Sequence, residues 1–183
     1  MGELTYLINC SLDGFSADAE GNFDFSDDLE ETTEAYTADV AAARTFLYGR
    51  AMYETMAVWE TDPALAELSP ASARFAAAWA PAEKVVFSTT LDEPLTRRTR
   101  IEPAFTRAAA ERAKAAGDAT IGGPGLAAEA LRLGVVDVVS LLIYPVVVGG
   151  GTPALPRGLR LQLRLLEERR FANGAVRVRY AVT

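Results

Sequence analysis

The most informative stretch of this sequence is Ala119-Thr120-Ile121-Gly122-Gly123-Pro124-Gly125-Leu126. An apolar run enters it, glycines and a proline fill a bend, and a helical pattern leaves it, with Leu126, Ala130 and Leu133 on one face. The first N–H groups of a helix have no partner within the helix, and its dipole favours an anion there. The junction therefore predicts a phosphate cradle. It matches neither GxGxxG nor the Walker pattern, so a tight turn that binds nothing stays open.

Two other short apolar strands end in groups that bind phosphate. Gly49-Arg50 follows one strand, and Ser88-Thr89-Thr90 follows another. The carboxyl ends of parallel strands lie at one edge of a sheet, where ligands bind. Arg50 would be a charge-assisted donor there, and Ser88 and Thr89 would add neutral donors. The convergence favours a nucleotide-type ligand, and an ordinary surface arginine beside a simple turn is the alternative.

The order of apolar segments predicts the fold class. Strand-like runs alternate with helical patterns from Leu4 to Val148, and two alternating runs, 161–165 and 176–180, close the chain. Asn173-Gly174 lies between these two runs and suits a type I′ turn. We expect an α/β fold with three layers, in which helices flank a mixed, mostly parallel sheet that ends in an antiparallel hairpin. One domain over residues 1–183 is the economical interpretation.

Composition excludes several function classes. The net charge is −7 without a basic run, which argues against a nucleic-acid partner. With no histidine and one cysteine, Cys10, the sequence has no His-based triad or intrachain disulfide, and we expect no metal. Acidic Glu3 precedes the first apolar run, and the longest apolar run, 135–148, is too short for a membrane span. We expect a soluble, cytoplasmic protein.

Five short motifs, in order, resemble one family. They are Ser11-Leu12-Asp13-Gly14-Phe15, Leu47-Tyr48-Gly49-Arg50-Ala51-Met52-Tyr53-Glu54, Lys84-Val85-Val86-Phe87-Ser88, Ile121-Gly122-Gly123 and Pro145-Val146-Val147-Val148-Gly149-Gly150-Gly151-Thr152-Pro153. Together they resemble the dihydrofolate-reductase-like superfamily, in the branch of riboflavin-biosynthesis reductase (RibD) C-terminal domains and their stand-alone relatives. The resemblance spans nearly the whole chain.

The resemblance implies a reductase with NADPH as hydride donor, a small-molecule substrate and a homodimer. The positions that match cofactor-binding positions of the family share one edge of the expected sheet. By the resemblance, Gly49 and Arg50 would contact cofactor phosphates, and Ser88 and Thr89 would contact the adenosine ribose and its 2′-phosphate. Phe15 and Ser16 would approach the nicotinamide. The pyrophosphate would lie against Ile121, Gly122, Gly123, Gly125 and Leu126.

The sequence departs from the family at two of these positions. Met52 stands where relatives usually have threonine, and Thr89 stands where many have arginine. The second change removes a partner for a 2′-phosphate, so NADH stays open as the cofactor. Nothing resembles the zinc signature of the deaminase domain in the bifunctional relatives.

Two acids are candidates for polar contact with the substrate. By the resemblance, Asp13 would sit at the edge of the substrate pocket, and an Asx-turn role is equally consistent with Asp13-Gly14. Asp24 lies between two phenylalanines, which can raise the pKa of a carboxyl, and a surface loop acid is the alternative. A helix that begins after Ser26, with Asp27 and Asp28 in its first turn, would also bring Glu30 or Glu31 near the pocket.

The sequence predicts a reductase that acts on a small heterocyclic or carbonyl-type substrate. A nucleotide-binding module without turnover is the second hypothesis, since Met52, Thr89 and the absence of histidine all permit it. A true dihydrofolate reductase is the third and is disfavoured, because Asp24-Phe25 replaces a Pro-Trp pair.

Overall fold

A mixed sheet of eight strands forms the centre of the protein, whose computed structural model describes residues 1–26 and 30–183. The strands are β1 (Leu4–Ser11), β2 (Phe15–Ala17), β3 (Thr45–Gly49), β4 (Glu83–Phe87), β5 (Thr99–Glu102), β6 (Ala119–Gly122), β7 (Val138–Tyr144), β8 (Thr152–Pro153), β9 (Leu163–Arg170) and β10 (Val176–Val182). The helices are α1 (Glu30–Ala42), α2 (Arg50–Thr61), α3 (Pro63–Glu67), α4 (Pro70–Trp79), α5 (Arg107–Ala116) and α6 (Pro124–Arg132).

The strand order across the large sheet is β5-β4-β3-β6-β1-β7-β10-β9. The first six of these strands run parallel, and β10 pairs antiparallel with both β7 and β9. Strands β2 and β8 form a separate antiparallel pair. The predicted mixed, mostly parallel sheet with a closing hairpin is confirmed.

Helices cover both faces of the central strands, which explains their nearly continuous apolar sequences. One core cluster packs β1, β4 and β6 against α5 and α6, with residues such as Tyr6, Val85 and Ile121 fully buried. A second cluster packs β3 and β4 against α1, α2 and α4, around Phe46 and Trp79. This arrangement of helix layers on both faces of the sheet confirms the predicted three layers. Within the described residues, no helix is both long and apolar enough to cross a membrane.

The closing hairpin corrects the predicted turn type. A type I′ turn needs a positive φ at both central residues. Gly174 has a φ of 84°, but Asn173 does not have a positive φ. The N–H of Gly174 donates to the carbonyl of Phe171, and that of Phe171 donates to the carbonyl of Ala175. The central residues of the turn are therefore Ala172 and Asn173, and Gly174 follows them in the left-handed region.

One expectation concerns the start of α1, and a further finding concerns where β7 ends. Asp27 and Asp28, predicted in the first turn of α1, lie outside the described residues. Strand β7 ends at Tyr144, because Pro145 lacks the N–H that would continue the ladder.

Candidate functional site

A cleft of about 690 Å³ opens at the carboxyl ends of the central parallel strands. Residues from β1, from the starts of α2 and α6, and from one face of α1 line it. The residues that line the cleft include Asn9, Ser16, Thr32, Thr33, Tyr36, Gly49, Arg50, Met52, Thr55, Met56, Trp59, Gly122, Gly123, Gly125, Leu126, Leu142 and Tyr144. This is the edge of the sheet at which the sequence predicted a ligand.

The two helices that begin at the cleft have no side-chain cap. Gly49 precedes α2 and Gly123 precedes α6, and neither can supply a capping oxygen. By contrast, α3, α4 and α5 begin with Asp62, Ser69 and Thr106, whose side chains accept from backbone N–H groups of the first turn. Uncapped N–H groups and two helix dipoles therefore meet in one cleft, which suits an anion with more than one phosphate.

The four glycines of the cleft serve two different purposes. A Cβ on Gly122 would lie 2.8 Å from Cε1 of Tyr48, and Gly123 has a φ of 87° with Cβ of Met52 3.1 Å from its would-be Cβ. These two glycines are required by packing and by backbone conformation. A Cβ on Gly49 or on Gly125 would meet no atom within 4 Å. At these two positions the bare backbone faces open space, as a close ligand contact needs.

Arg50 joins two of the strand ends. Its Nε donates to Glu54 at 2.7 Å, and its Nη1 donates to the carbonyl and the hydroxyl of Thr90. The Glu54 carboxylate offsets the cost of placing a cation at a helix start. Within the described residues, Arg50 is the one charged side chain that lines the cleft.

The predicted hydroxyls after β4 belong to Ser88 and Thr89, which precede Thr90, the residue that Arg50 contacts. The Ser88 hydroxyl accepts from the N–H groups of Thr90 and Leu91, so it stabilises its own turn. Thr89 is exposed, and neither Ser88 nor Thr89 lines the cleft. Their contact with a cofactor stays a prediction.

Asp13 holds a loop in place. Its carboxylate accepts from the N–H of Gly149 at 2.8 Å and of Val148 at 3.2 Å. The Ser11 hydroxyl and these N–H groups lower the pKa of Asp13. The carboxyl is therefore charged near neutral pH. Asp13 does not line the cleft, and its hydrogen bonds anchor the loop that contains Val148 and Gly149.

Three other predicted residues also lie outside the lining of the cleft. Asp24 is exposed, and Phe15 is half-buried with its N–H donating to the Ser11 hydroxyl. Ile121 is fully buried in the core, and its contact with a cofactor stays a prediction. Ser16, Gly125 and Leu126, in contrast, line the cleft, and their contacts with a cofactor stay predictions.

The acids at the start of α1 are used on the surface. Glu30 pairs with Arg74, and Glu31 pairs with Arg169. The same helix presents Thr32, Thr33 and Tyr36 to the cleft instead. Burial raises the pKa of Tyr36, as do Asp39 and Tyr144 beside it, so the phenol stays neutral and can donate a hydrogen bond.

A comparison of sequences supports the family that the motifs suggested. Residues 118–177 match the RibD C-terminal domain. This segment is therefore similar to members of that family. It contains α6 and the glycines at its start. No curated protein matches the chain in a search of such sequences.

Solved structures share the fold over the whole chain at low sequence identity. A protein from Shewanella sp. PV-4, provisionally assigned to riboflavin biosynthesis, has a TM-score of 0.75 and 16% identity and covers 99% of each chain. A pyrimidine reductase-like protein from Corynebacterium diphtheriae has a TM-score of 0.67 and 14% identity, with 100% of this chain and 92% of that one covered. Dihydrofolate reductase from Enterococcus faecalis, complexed with NADP(H) and RAB-propyl, has a TM-score of 0.67 and 14% identity, with 100% of this chain and 97% of that one covered. The chain therefore has the dihydrofolate-reductase-like fold.

One wall of the cleft comes from α2, and the sequence did not predict this wall as a unit. Met52, Thr55, Met56 and Trp59 line it from α2. Their spacing of i, i+3, i+4 and i+7 marks one helical face, a signal that was available in the sequence. Met52, a departure from the RibD C-terminal domain family, is the side chain that packs against Gly123.

Proposed function

We propose that this protein is a reductase that binds a nicotinamide dinucleotide in the cleft and transfers its hydride to a small heterocyclic or carbonyl-type substrate. The single observation that carries the proposal is the meeting of two uncapped helix N-termini, at Gly49 and Gly123, in one cleft beside Arg50. The Enterococcus faecalis relative in fold was solved with NADP(H), which supports a nicotinamide cofactor.

The residues at the start of α6 fit the middle of such a cofactor. The open space above Gly125 would admit a pyrophosphate that N–H groups of α6 could reach. Arg50 lies at the start of α2 and would hold a further phosphate by charge-assisted hydrogen bonds. The predicted contacts of Ser88 and Thr89 belong to this same part of the proposal, with NADPH preferred and NADH as the alternative.

The substrate would lie between α1 and the ends of β1 and β7. Thr32, Thr33 and Tyr36 offer hydroxyls on one side of this space, and Leu142 and Tyr144 form the other side. The bound cofactor supplies the hydride, so the protein's task is to orient the two rings and to exclude water. Because the pKa of Tyr36 is raised, its phenol would orient a substrate carbonyl rather than release a proton. We retain one domain over residues 1–183 and a homodimer as parts of this proposal.

Titration with NADPH and with NADH tests the proposal, with nicotinamide fluorescence as the readout. Saturable binding followed by oxidation with a member of a panel of heterocycles and carbonyl compounds is the expected result. Dihydrofolate belongs in the panel, since turnover of dihydrofolate would favour the third hypothesis. Binding of neither cofactor would contradict the proposal.

A nucleotide-binding module without turnover is the second candidate. The observation that favours it is that the described residues of the cleft wall include no carboxylate that could serve as a proton donor. Cofactor binding without oxidation across the whole panel would support this candidate over the reductase.

A further inference from the structure

Asn9 is a polar residue near the end of an apolar strand, and it lines the cleft. Asn9 lies in the central strand β1, in the apolar sequence Leu4-Thr5-Tyr6-Leu7-Ile8-Asn9-Cys10. Its Oδ1 is buried and accepts no hydrogen bond from the described part of the chain. Two other described side-chain atoms, on Asn173 and Arg177, share this condition, but neither residue lines the cleft. A buried acceptor without a partner is costly, so its presence needs an explanation.

The pairing of β1 with β7 shows on which face of the sheet Asn9 lies. In β1, Leu7 and Asn9 share one face, and Leu142, the partner of Asn9 in β7, packs in one cluster with Ala35 of α1. Asn9 is paired with Leu142 of β7, which lines the cleft too. Asn9 therefore lies on the α1 side of the sheet, opposite Thr32 and Tyr36.

Asn9 also lies where β1 extends beyond its other neighbour. Tyr6 is paired with Ile121, and β6 ends one residue later at Gly122. On the β6 side, no strand residue flanks Asn9, and Asn9 is one of the residues that line the cleft. It lies about 7 Å along the strand direction beyond Gly122, at two residues of strand rise. That position is one strand away from the predicted pyrophosphate site.

From this arrangement we propose that the Asn9 carboxamide recognises a neutral amide-type edge of the bound ligand, where an N–H donor stands beside a C=O acceptor. An asparagine amide is complementary to such an edge, because it offers one acceptor and two donors in one plane. The inference rests on the proposed function, which places a ring at this point of the cleft. Two sources carry this edge: the carboxamide of the nicotinamide and a lactam of a heterocyclic substrate.

The test uses Asn9→Leu, which keeps the size of the side chain and removes both its donor and its acceptor, with Asn9→Ala as a second variant. Two pairs of probes differ in the amide edge. NADP⁺ is compared with its 3-acetylpyridine analogue, which has an acetyl group in place of the carboxamide. 5,6-Diaminouracil is compared with its 1,3-dimethyl derivative, which lacks the ring N–H groups, at saturating NADP⁺. Quenching of the fluorescence of Trp59, which lines the cleft, reports binding.

We expect Asn9→Leu to weaken binding of the amide-bearing member of one pair by about ten-fold and to change its partner by less than about two-fold. If the variant affects the two members of the first pair differently, the amide edge belongs to the cofactor. If it affects the two members of the second pair differently, the amide edge belongs to the substrate. The melting temperature should stay equal or rise, because the variant removes an unsatisfied polar group.

Two results would overturn the inference while the proposed function stands. In the first, NADP⁺ binds, but Asn9→Leu weakens the two members of each probe pair to the same extent. The case in which the uracils show no measurable binding counts as no difference in the second pair. The other is a fall in melting temperature with equal losses for every probe, as a merely structural asparagine would give. Absence of NADP⁺ and NADPH binding in the unmodified protein would instead remove the proposed function, and this inference with it.

Discussion

The guanidinium of Arg50 donates to the carbonyl oxygen of Thr90 at 2.9 Å and to its hydroxyl at 3.0 Å. This contact fixes the first residue of α2 to the loop after β4. Its charge stays at the rim of the cleft, beside the uncapped N-terminus of α2. Arg50 is thus held in place before any ligand arrives, which lowers the entropy lost when it binds a phosphate.

Replacing Arg50 should weaken cofactor binding. We expect Arg50→Gln to lower the affinity for NADPH by about ten-fold, since hydrogen bonds to charged groups contribute about 1.5–3 kcal/mol. Fluorescence titration with NADPH and NADH measures the change and shows whether the 2′-phosphate is the group that Arg50 holds. Arg100→Gln is the control, because Arg100 pairs with Glu102 on strand β5 and does not line the cleft. Equal affinities in the two variants would exclude Arg50 from the site.

A negative charge at the start of α6 should block the cofactor. Gly125 has open space where a Cβ would point, so Gly125→Glu should fold normally and repel a phosphate at the helix N-terminus. We expect a loss of NADPH affinity of about ten-fold or more. Gly123 is unsuitable for this test, because its positive φ and its contact with Met52 would cause misfolding.

Gly150→Glu is the matched control for charge. Gly150 also has no atom within 4 Å of a would-be Cβ, and it lies outside the lining of the cleft. If both variants bind NADPH as the unmodified protein does, the pyrophosphate is not at the start of α6.

Asp13 should stabilise the protein in a pH-dependent manner. The pKa of its carboxyl is lowered by Ser11, Gly149 and Val148, so the stabilisation is fully present above the unfolded-state pKa of about 3.9. It is lost as the pH falls through the lower folded-state pKa. Asp13→Asn should therefore have a lower melting temperature than the unmodified protein at pH 7, and the gap should narrow below about pH 4. A gap that stays constant across this range would show that the charge of Asp13 contributes nothing.

A buried ion pair should affect stability far more than an exposed one. The Lys84 ammonium is fully buried, lies over the ring of Trp79, and donates to Glu60 and to the carbonyls of Ala80 and Arg97. Burial lowers the pKa of Lys84. Removing its carboxylate partner leaves a buried charge, so Glu60→Ala should lower the free energy of unfolding by about 3–5 kcal/mol.

Glu83→Ala provides the comparison for this ion pair. Glu83 pairs with Arg98 on the surface, with both side chains about half exposed, so its loss should cost less than about 1 kcal/mol. Urea denaturation of the two variants measures the difference. Similar losses would mean that Lys84 keeps its stabilisation without Glu60.

Sequence patterns predicted the sheet well, because burial on both faces leaves a continuous apolar run that is easy to recognise. The runs containing Tyr6, Leu47, Val85 and Ile121 all became central strands. The hairpin was recognised by its alternation, but the turn type was not, because Asn173-Gly174 suits two backbone geometries that differ by one residue in register.

The site was only partly predictable, because a glycine does not reveal why it is needed. Gly122 and Gly123 satisfy packing against Tyr48 and Met52, while Gly125 leaves space for a ligand, and the motif alone cannot separate these causes. Asn9 gave a readable signal as an amide within an apolar strand. Its importance depends on where β6 ends beside β1, which is a property of the register.

Direct titration with NADPH is the measurement that tests the central claim, a dinucleotide held at the starts of α2 and α6. The account predicts a saturable change in nicotinamide fluorescence with a Kd below about 1 mM, the upper end of common Michaelis constants. Absence of any saturable change at that concentration, with NADPH and with NADH alike, would contradict it.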